Sequence, residues 1–153
     1  MSQAFTSAGT VISISASLPT TFDDKVSTGY PSLTYTEIGE VTDIPEYGKA
    51  FTLVTHNPLG NRKTVKRKGS FDNGSVTLQM ARVPSDAGQD IGLDALESDD
   101  SYSFEVVLQD GTTQYFTAQV LSYTTNIGSV NQITAAAMQI ELDRDIVEVA
   151  PGS

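Results

Sequence analysis

A chain of 153 residues with 19 acidic and 9 basic side chains carries a net charge of −10, which argues against nucleic-acid binding outside a local basic patch; its length suits one domain with a real core. It contains no cysteine, which excludes disulfides and thiolate metal sites. Its one histidine, His56, excludes a two-histidine metal site and leaves nucleophilic catalysis short of a base unless His56 itself serves.

The start, MSQAFTSAGT, lacks the basic-then-apolar pattern of a secretory leader, and no run approaches the ~18 apolar residues of a membrane helix, so a cytosolic origin is the simplest reading. TVISISAS then alternates, with Ile12, Ile14 and Ala16 on one face, and is predicted to be a strand. Residues 17–36 contain Pro19, Gly29 and Pro31 and read as a long surface loop. EIGEVTDI (37–44) is expected to form a short strand, and FTLVTH (51–56) another. Residues 57–73 show no convincing periodicity and hold several breakers, so they read as a second long loop, of the length that is usually functional or disordered.

From Gly74 the signals sharpen. SVTLQMA sets Val76, Leu78 and Met80 on one face of a strand. Pro84-Ser85 opens a helix with Ser85 as the expected N-cap and Ala87, Ile91 and Ala95 as its apolar stripe. Asp86 and Asp90 suit its positive end, while Gly88 and Gly92 weaken it by roughly 1 kcal/mol each. YSFEVVLQ and TQYFTAQVLSY flank Asp110-Gly111, a favoured tight-turn pair, and predict a hairpin with Phe104 and Val106 facing Phe116, Ala118 and Val120. NQITAAAMQIEL (131–142) is the last long strand, and residues 143–153 form a tail whose DIVEV is suited to a short edge strand. The sum is a mainly antiparallel β domain over residues 1–153, a sandwich or flattened barrel with one flanking helix.

The charge is unevenly distributed. Five of the nine bases, Arg62, Lys63, Lys66, Arg67 and Lys68, fall within NRKTVKRKGS, which leaves the rest of the chain with 4 bases against 19 acids. Asp94, Glu97, Asp99 and Asp100 cluster without the spacing or glycine of a calcium loop and read as a solvated helix end. No Gly-x-Ser-x-Gly elbow is present, so no catalysis and no cofactor are expected.

The order from Gly74 to Leu142, strand GSVTLQMARVP, helix SDAGQDIGLDALES, Asp-Gly hairpin and strand QITAAAMQIEL, resembles the tail tube (major tail) protein of long-tailed, non-contractile bacteriophages. The Phe116, Ala118, Val120 pattern and the position of the basic loop fit as well. The resemblance covers about half the chain, and its motifs are structural rather than chemical. It implies a β-sandwich subunit that assembles into hexameric rings, stacked as a hollow tube in the virion tail after assembly in the host cytoplasm. Its partners would be a tape measure protein inside the tube, with a tail terminator and tail tip proteins at its ends. DNA would pass through the lumen without specific binding. Some members add an immunoglobulin-like domain at the C-terminus, and a chain ending at Ser153 is expected to lack one.

On that reading the basic run is a docking loop for the acidic surface of a neighbouring subunit. The bland reading is a flexible, solvated loop. A nucleic-acid clamp lacks any aromatic between Phe51 and Phe71 to stack on a base. The acidic excess serves solubility or a negative lumen, with Glu40, Asp43, Glu105 and Glu141 as candidate lumen-facing acids. The tube of a contractile secretion system shares the implied fold. A different class of function is a β-sandwich module binding glycan or protein through Tyr30, Tyr35, Tyr47, Tyr115 and Tyr123.

Overall fold

A computed structural model describes residues 6–60 and 62–151. In chain order the strands are β1 (Val11–Ser15), β2 (Thr36–Glu37), β3 (Val41–Asp43), β4 (Ala50–His56), β5 (Val65–Asp72) and β6 (Ser75–Ala81). The helix α1 (Ala87–Glu97) follows, then β7 (Tyr102–Val107), β8 (Thr113–Asn126), β9 (Ala135–Leu142) and β10 (Val147–Val149). Within the main sheet the strands run in the order β2-β1-β7-β8-β9-β6-β3, all pairs antiparallel, with β10 added against β8.

The sheet curls into a flattened half-barrel because β8 serves two sets of neighbours. Its first residues bond to β7 and β10, whereas Ala118–Asn126 bond to β9. The register shifts between Val120 and Ser122, a bulge that leaves Leu121 outside and bends the strand. The concave face carries the alternating apolar residues of β6 to β9, and Phe104 stacks on Phe116 at 5.4 Å between centroids. Each such ring, fully buried, contributes roughly 1.5–3 kcal/mol.

Helix α1 lies over this concave face, and its glycines are the points of contact. Gly88 and Gly92 are both buried. A Cβ on Gly88 would run into the backbone carbonyl of Glu37, and one on Gly92 into the terminal methyl of Met138. The residues that weaken the helix locally thus let it approach the sheet. Of the predicted stripe, Ala95 is buried, Ile91 is partly buried and Ala87 faces solvent. The N-cap is Asp86 rather than Ser85; its carboxylate accepts from Gln89 N at 2.9 Å.

Gln89 is fully buried and fastens three segments. Its Nε2 donates to Gly39 O (3.1 Å) and Ala81 O (2.9 Å). Its Oε1 accepts from Val83 N (3.0 Å) and from the Tyr123 hydroxyl (3.1 Å). Gly39 N donates in turn to Asp86 Oδ2 (3.1 Å). This lock holds the connection between β2 and β3, where Glu40 takes a positive φ of 59° and breaks the single strand expected over 37–44 into two.

The convex face is covered over β1, β7 and β8 by the early loop. Tyr30, the first residue of a short 3-10 turn, is wholly buried and its hydroxyl lies 2.7 Å from Thr117 Oγ1. Its ring stacks on Tyr115 at 5.6 Å, and Ser103 Oγ donates to Ser17 O at 2.8 Å. The long loop of the sequence reading is thereby tied down along this stretch. Among the described residues no helix is long and apolar enough to cross a membrane.

The two helical glycines make opposite predictions. Gly88→Ala should destabilise the protein by about 1–3 kcal/mol through overpacking against backbone. Gly92→Ala meets only the movable end of Met138, so helix propensity should hold it within about 1 kcal/mol of the parent. Urea unfolding of the two variants checks this.

Candidate functional site

The segment expected to be loop over 57–73 is in large part a strand. β5 pairs antiparallel with β4 to form a separate two-stranded arm, with Phe51 opposite Phe71, Leu53 opposite Lys68, Val54 opposite Arg67 and Thr55 opposite Lys66. The pattern escapes a sequence reading because neither face of β5 is apolar: Val65 and Gly69 are half-buried and the other six residues are exposed. A register shift between Phe51 and Leu53 interrupts the alternation further. Every residue of β4 is exposed.

The arm combines cations with uncovered apolar groups. Phe51, Leu53, Val54, Leu59 and Phe71 are large hydrophobics open to solvent; Leu59, in the tip, is 105% exposed. Lys68 Nζ sits 4.9 Å over the Phe51 ring, and Phe51 packs on Phe71 at 5.2 Å. Lys66, Arg67 and Lys68 are exposed on β5, and Arg62 and Lys63 are exposed in the tip before it. The proposed basic residues are therefore brought together along one ribbon. At the root, Lys49 Nζ lies 3.2 Å from Asp145 Oδ1 and 4.5 Å over the Phe71 ring.

The four candidate acids separate into different settings. Asp43 pairs with Gln79 on β6 and Glu141 with Ser75 on the same strand, so both lie on the convex face of β3, β6 and β9. Thr77 and Gln139 lie between them, and that stretch carries no lysine or arginine. Glu40 is exposed in the turn between β2 and β3. Glu105 is partly covered beside Tyr115 and Tyr35; burial pushes its carboxyl up, opposed by a hydrogen bond from Tyr115. Burial is also the first cause that pushes Tyr115 and Tyr47 up to about 12.

Those tyrosines correct one sequence reading. Tyr30 and Tyr115 are buried and Tyr35, Tyr47 and Tyr123 partly so, engaged with one another or with the core. They make no open aromatic platform for a glycan. His56 is exposed on the arm, and among the described residues no group of three His, Asp or Glu could hold a metal.

A family model described as lambda phage tail tube protein, TTP, matches residues 24–146. No curated protein matches the sequence. Among solved structures, a chain in the PVC sheath/tube terminator of an extracellular contractile injection system superposes with a TM-score of 0.69 at 11% identity, over 97% of this chain and 99% of that one. A chain in the tail of an empty GTA particle superposes with a TM-score of 0.67 at 12% identity, over 96% and 100%. A chain of the SPP1 tail tube gives 0.61 at 13% identity, over 91% and 75%. At these identities the likeness is one of fold.

Two predictions come from this geometry. The raised Glu105 carboxyl means that the stability of its neutral form is present below the unfolded value and lost as pH rises through the folded one. Glu105→Gln should therefore raise the melting temperature at neutral pH and leave it nearly unchanged in acid below the ordinary glutamate range. In the isolated chain, amides of β4 and β5 should exchange with solvent orders of magnitude faster than those of β7 to β9, since a lone two-stranded ribbon is marginal in water.

Proposed function

Because the chain belongs to the lambda phage tail tube protein family and is a structural subunit of a tube, we propose that its copies close into hexameric rings and that the β4–β5 arm of one ring docks on the acidic surface of the next. The single observation that carries this reading is the arm itself. It stands apart from the main sheet with both faces open, and with the tip before it holds five of the nine bases of a chain of net charge −10. Removing those five leaves the remainder at −15, since 4 bases oppose 19 acids. Identical bodies of that charge repel when packed, and a cationic ribbon from each offsets the repulsion where they meet. Exposed pairs are worth only about 0–1 kcal/mol each, but they repeat at every joint and set register. Screening over about 8 Å requires the arm to lie in contact. The uncovered Phe51, Leu53 and Leu59 add a salt-insensitive component.

The convex face of β3, β6 and β9, with Asp43 and Glu141 among neutral polar groups, is the proposed lumen wall. Such a face repels phosphate and lets DNA slide past without specific binding. A tape measure protein occupies the lumen during assembly, and terminator and tip proteins close the ends. Assembly takes place in the host cytoplasm and the product is the virion tail. No catalytic role is assigned. The contractile-injection relatives share the fold, while the family match favours a phage tail.

The arm is the handle for the experiment. Replacing Lys66, Arg67 and Lys68 together with glutamate should leave the circular dichroism and the melting temperature within a few degrees of the parent, because these side chains are solvent-exposed. Polymerisation followed by light scattering and negative-stain microscopy should fail or slow at least about tenfold, the effect of 1.4 kcal/mol. Normal tubes from the triple variant would remove the arm from the contact.

A further inference from the structure

We propose that the arm of one copy seats its basic side chains in an acceptor socket at the root of the arm of the next copy. The inference rests on the tube reading above, because it names the arm's partner within that assembly. The socket is a cleft of about 370 Å³ between the early loop, the arm root and the chain that follows β9, walled by Phe22, Phe71, Asn73, Asp143, Arg144 and Asp145.

Its chemistry is that of an acceptor. Asn73 is only 8% exposed, and its Oδ1 has no hydrogen-bond partner among the described residues. A buried carbonyl without a donor is costly, and none of the described residues supplies one. Two carboxylates flank it. Asp143 Oδ2 accepts from Ser101 Oγ at 2.8 Å and Asp145 Oδ1 meets Lys49 at 3.2 Å, which leaves further lone pairs on both. The chain's own cations at the socket are already committed: the Arg144 guanidinium lies 3.7 Å from the Phe22 ring centroid, and Lys49 Nζ lies 4.5 Å over the Phe71 ring. The lone pairs left on the two carboxylates suit an incoming ammonium or guanidinium group. A divalent cation fits less well, since among the described residues no three carboxylate or imidazole groups converge and Arg144 lines the cleft.

The donor does not come from the same chain's β5. The strand leads away from the root, so Lys68 and Lys66 stand four and six residues from Asp72, about 13–20 Å along the strand. A second copy supplies them instead. Arm and socket are different surfaces, so the contact is head-to-tail, and between stacked rings it repeats along the axis.

The absence of cysteine makes the contact directly testable. A chain carrying Thr55→Cys, opposite Lys66 on the arm, and Ser75→Cys, two residues from Asn73, keeps every proposed charge; it is assembled, then treated with a short bismaleimide. A ladder of covalent oligomers, missing when either cysteine is present alone, is the expected result. Tubes that form and yield only monomers overturn the socket and leave the tube reading standing. If the unsubstituted chain never forms tubes, the tube reading fails and the socket with it. A second pair of variants guards against misfolding. Asp143→Lys with Asp145→Lys should raise the concentration needed for polymerisation by about tenfold or more. Adding the glutamate triple on the arm should bring it back toward the parent value; no recovery in a folded protein overturns the socket. Calcium binding to the unassembled chain that is abolished by Asp143→Asn would show a metal occupant and also overturn it.

Discussion

A two-stranded ribbon wetted on both faces has almost nothing to hold it in place, and the β4–β5 arm is such a ribbon. Its inner backbone groups pair across the strands, but its outer edges are unpaired and its side chains meet water. Unpaired edges bearing Phe51, Leu53 and Val54 invite association. The cations beside them select what associates. Two arms brought edge to edge place Lys66, Arg67 and Lys68 against their copies and repel, whereas the same residues are drawn to a body that is acidic. One stretch of sequence therefore discourages arm-to-arm aggregation and favours arm-to-body docking.

That arrangement works only if the body is stiff, because a contact made through a marginal ribbon gains little if its receiving surface also yields. The stiffness comes from a few polar groups as much as from the apolar core. Gln89 uses both ends of its amide to join the β2–β3 connection, the end of β6 and Tyr123 on β8, and Asp86 caps the helix while holding Gly39. A buried network with its partners met specifies one geometry, since any slip strands a donor or acceptor. Tyr30 does the same on the opposite face, where its hydroxyl reaches Thr117 and its ring covers Tyr115.

The sequence made β6 through β9 readable because each has one face on the core, and burial of one face imposes a period of two. Val76, Leu78 and Met80 announce their strand directly, and Asp110-Gly111 marks the hairpin. β5 was unreadable for the converse reason, as a strand with no buried face has no pattern. Gly88 and Gly92 looked like flaws in a helix, because propensity is local and the value of a missing Cβ depends on a carbonyl fifty residues earlier or a methionine near the other end of the chain. Tyr30 read as loop because Thr117 lies 87 residues away. Of the candidate site, the grouping of the five bases was legible. The orphaned Asn73 carbonyl and the separation of Glu105 from Asp43 and Glu141 were not, since both depend on what the fold lays over them.

Asn73 sits at the junction of these two regimes. It follows the last residue of the loose arm and precedes the first residues of β6, and it is buried while its neighbours Asp72 and Ser75 are exposed. Two residues on, β6 begins a pairing with β9 that is continuous from Ser75 to Ala81. Among the described residues nothing donates to Asn73 Oδ1, at the place where the arm leaves the body. On the proposed reading a neighbour that fills the socket also packs beside Phe71 and the arm root, so docking stiffens the arm bearing the next set of cations. Docking at one end of a subunit then prepares its other end, and growth along the axis is favoured over isolated pairs.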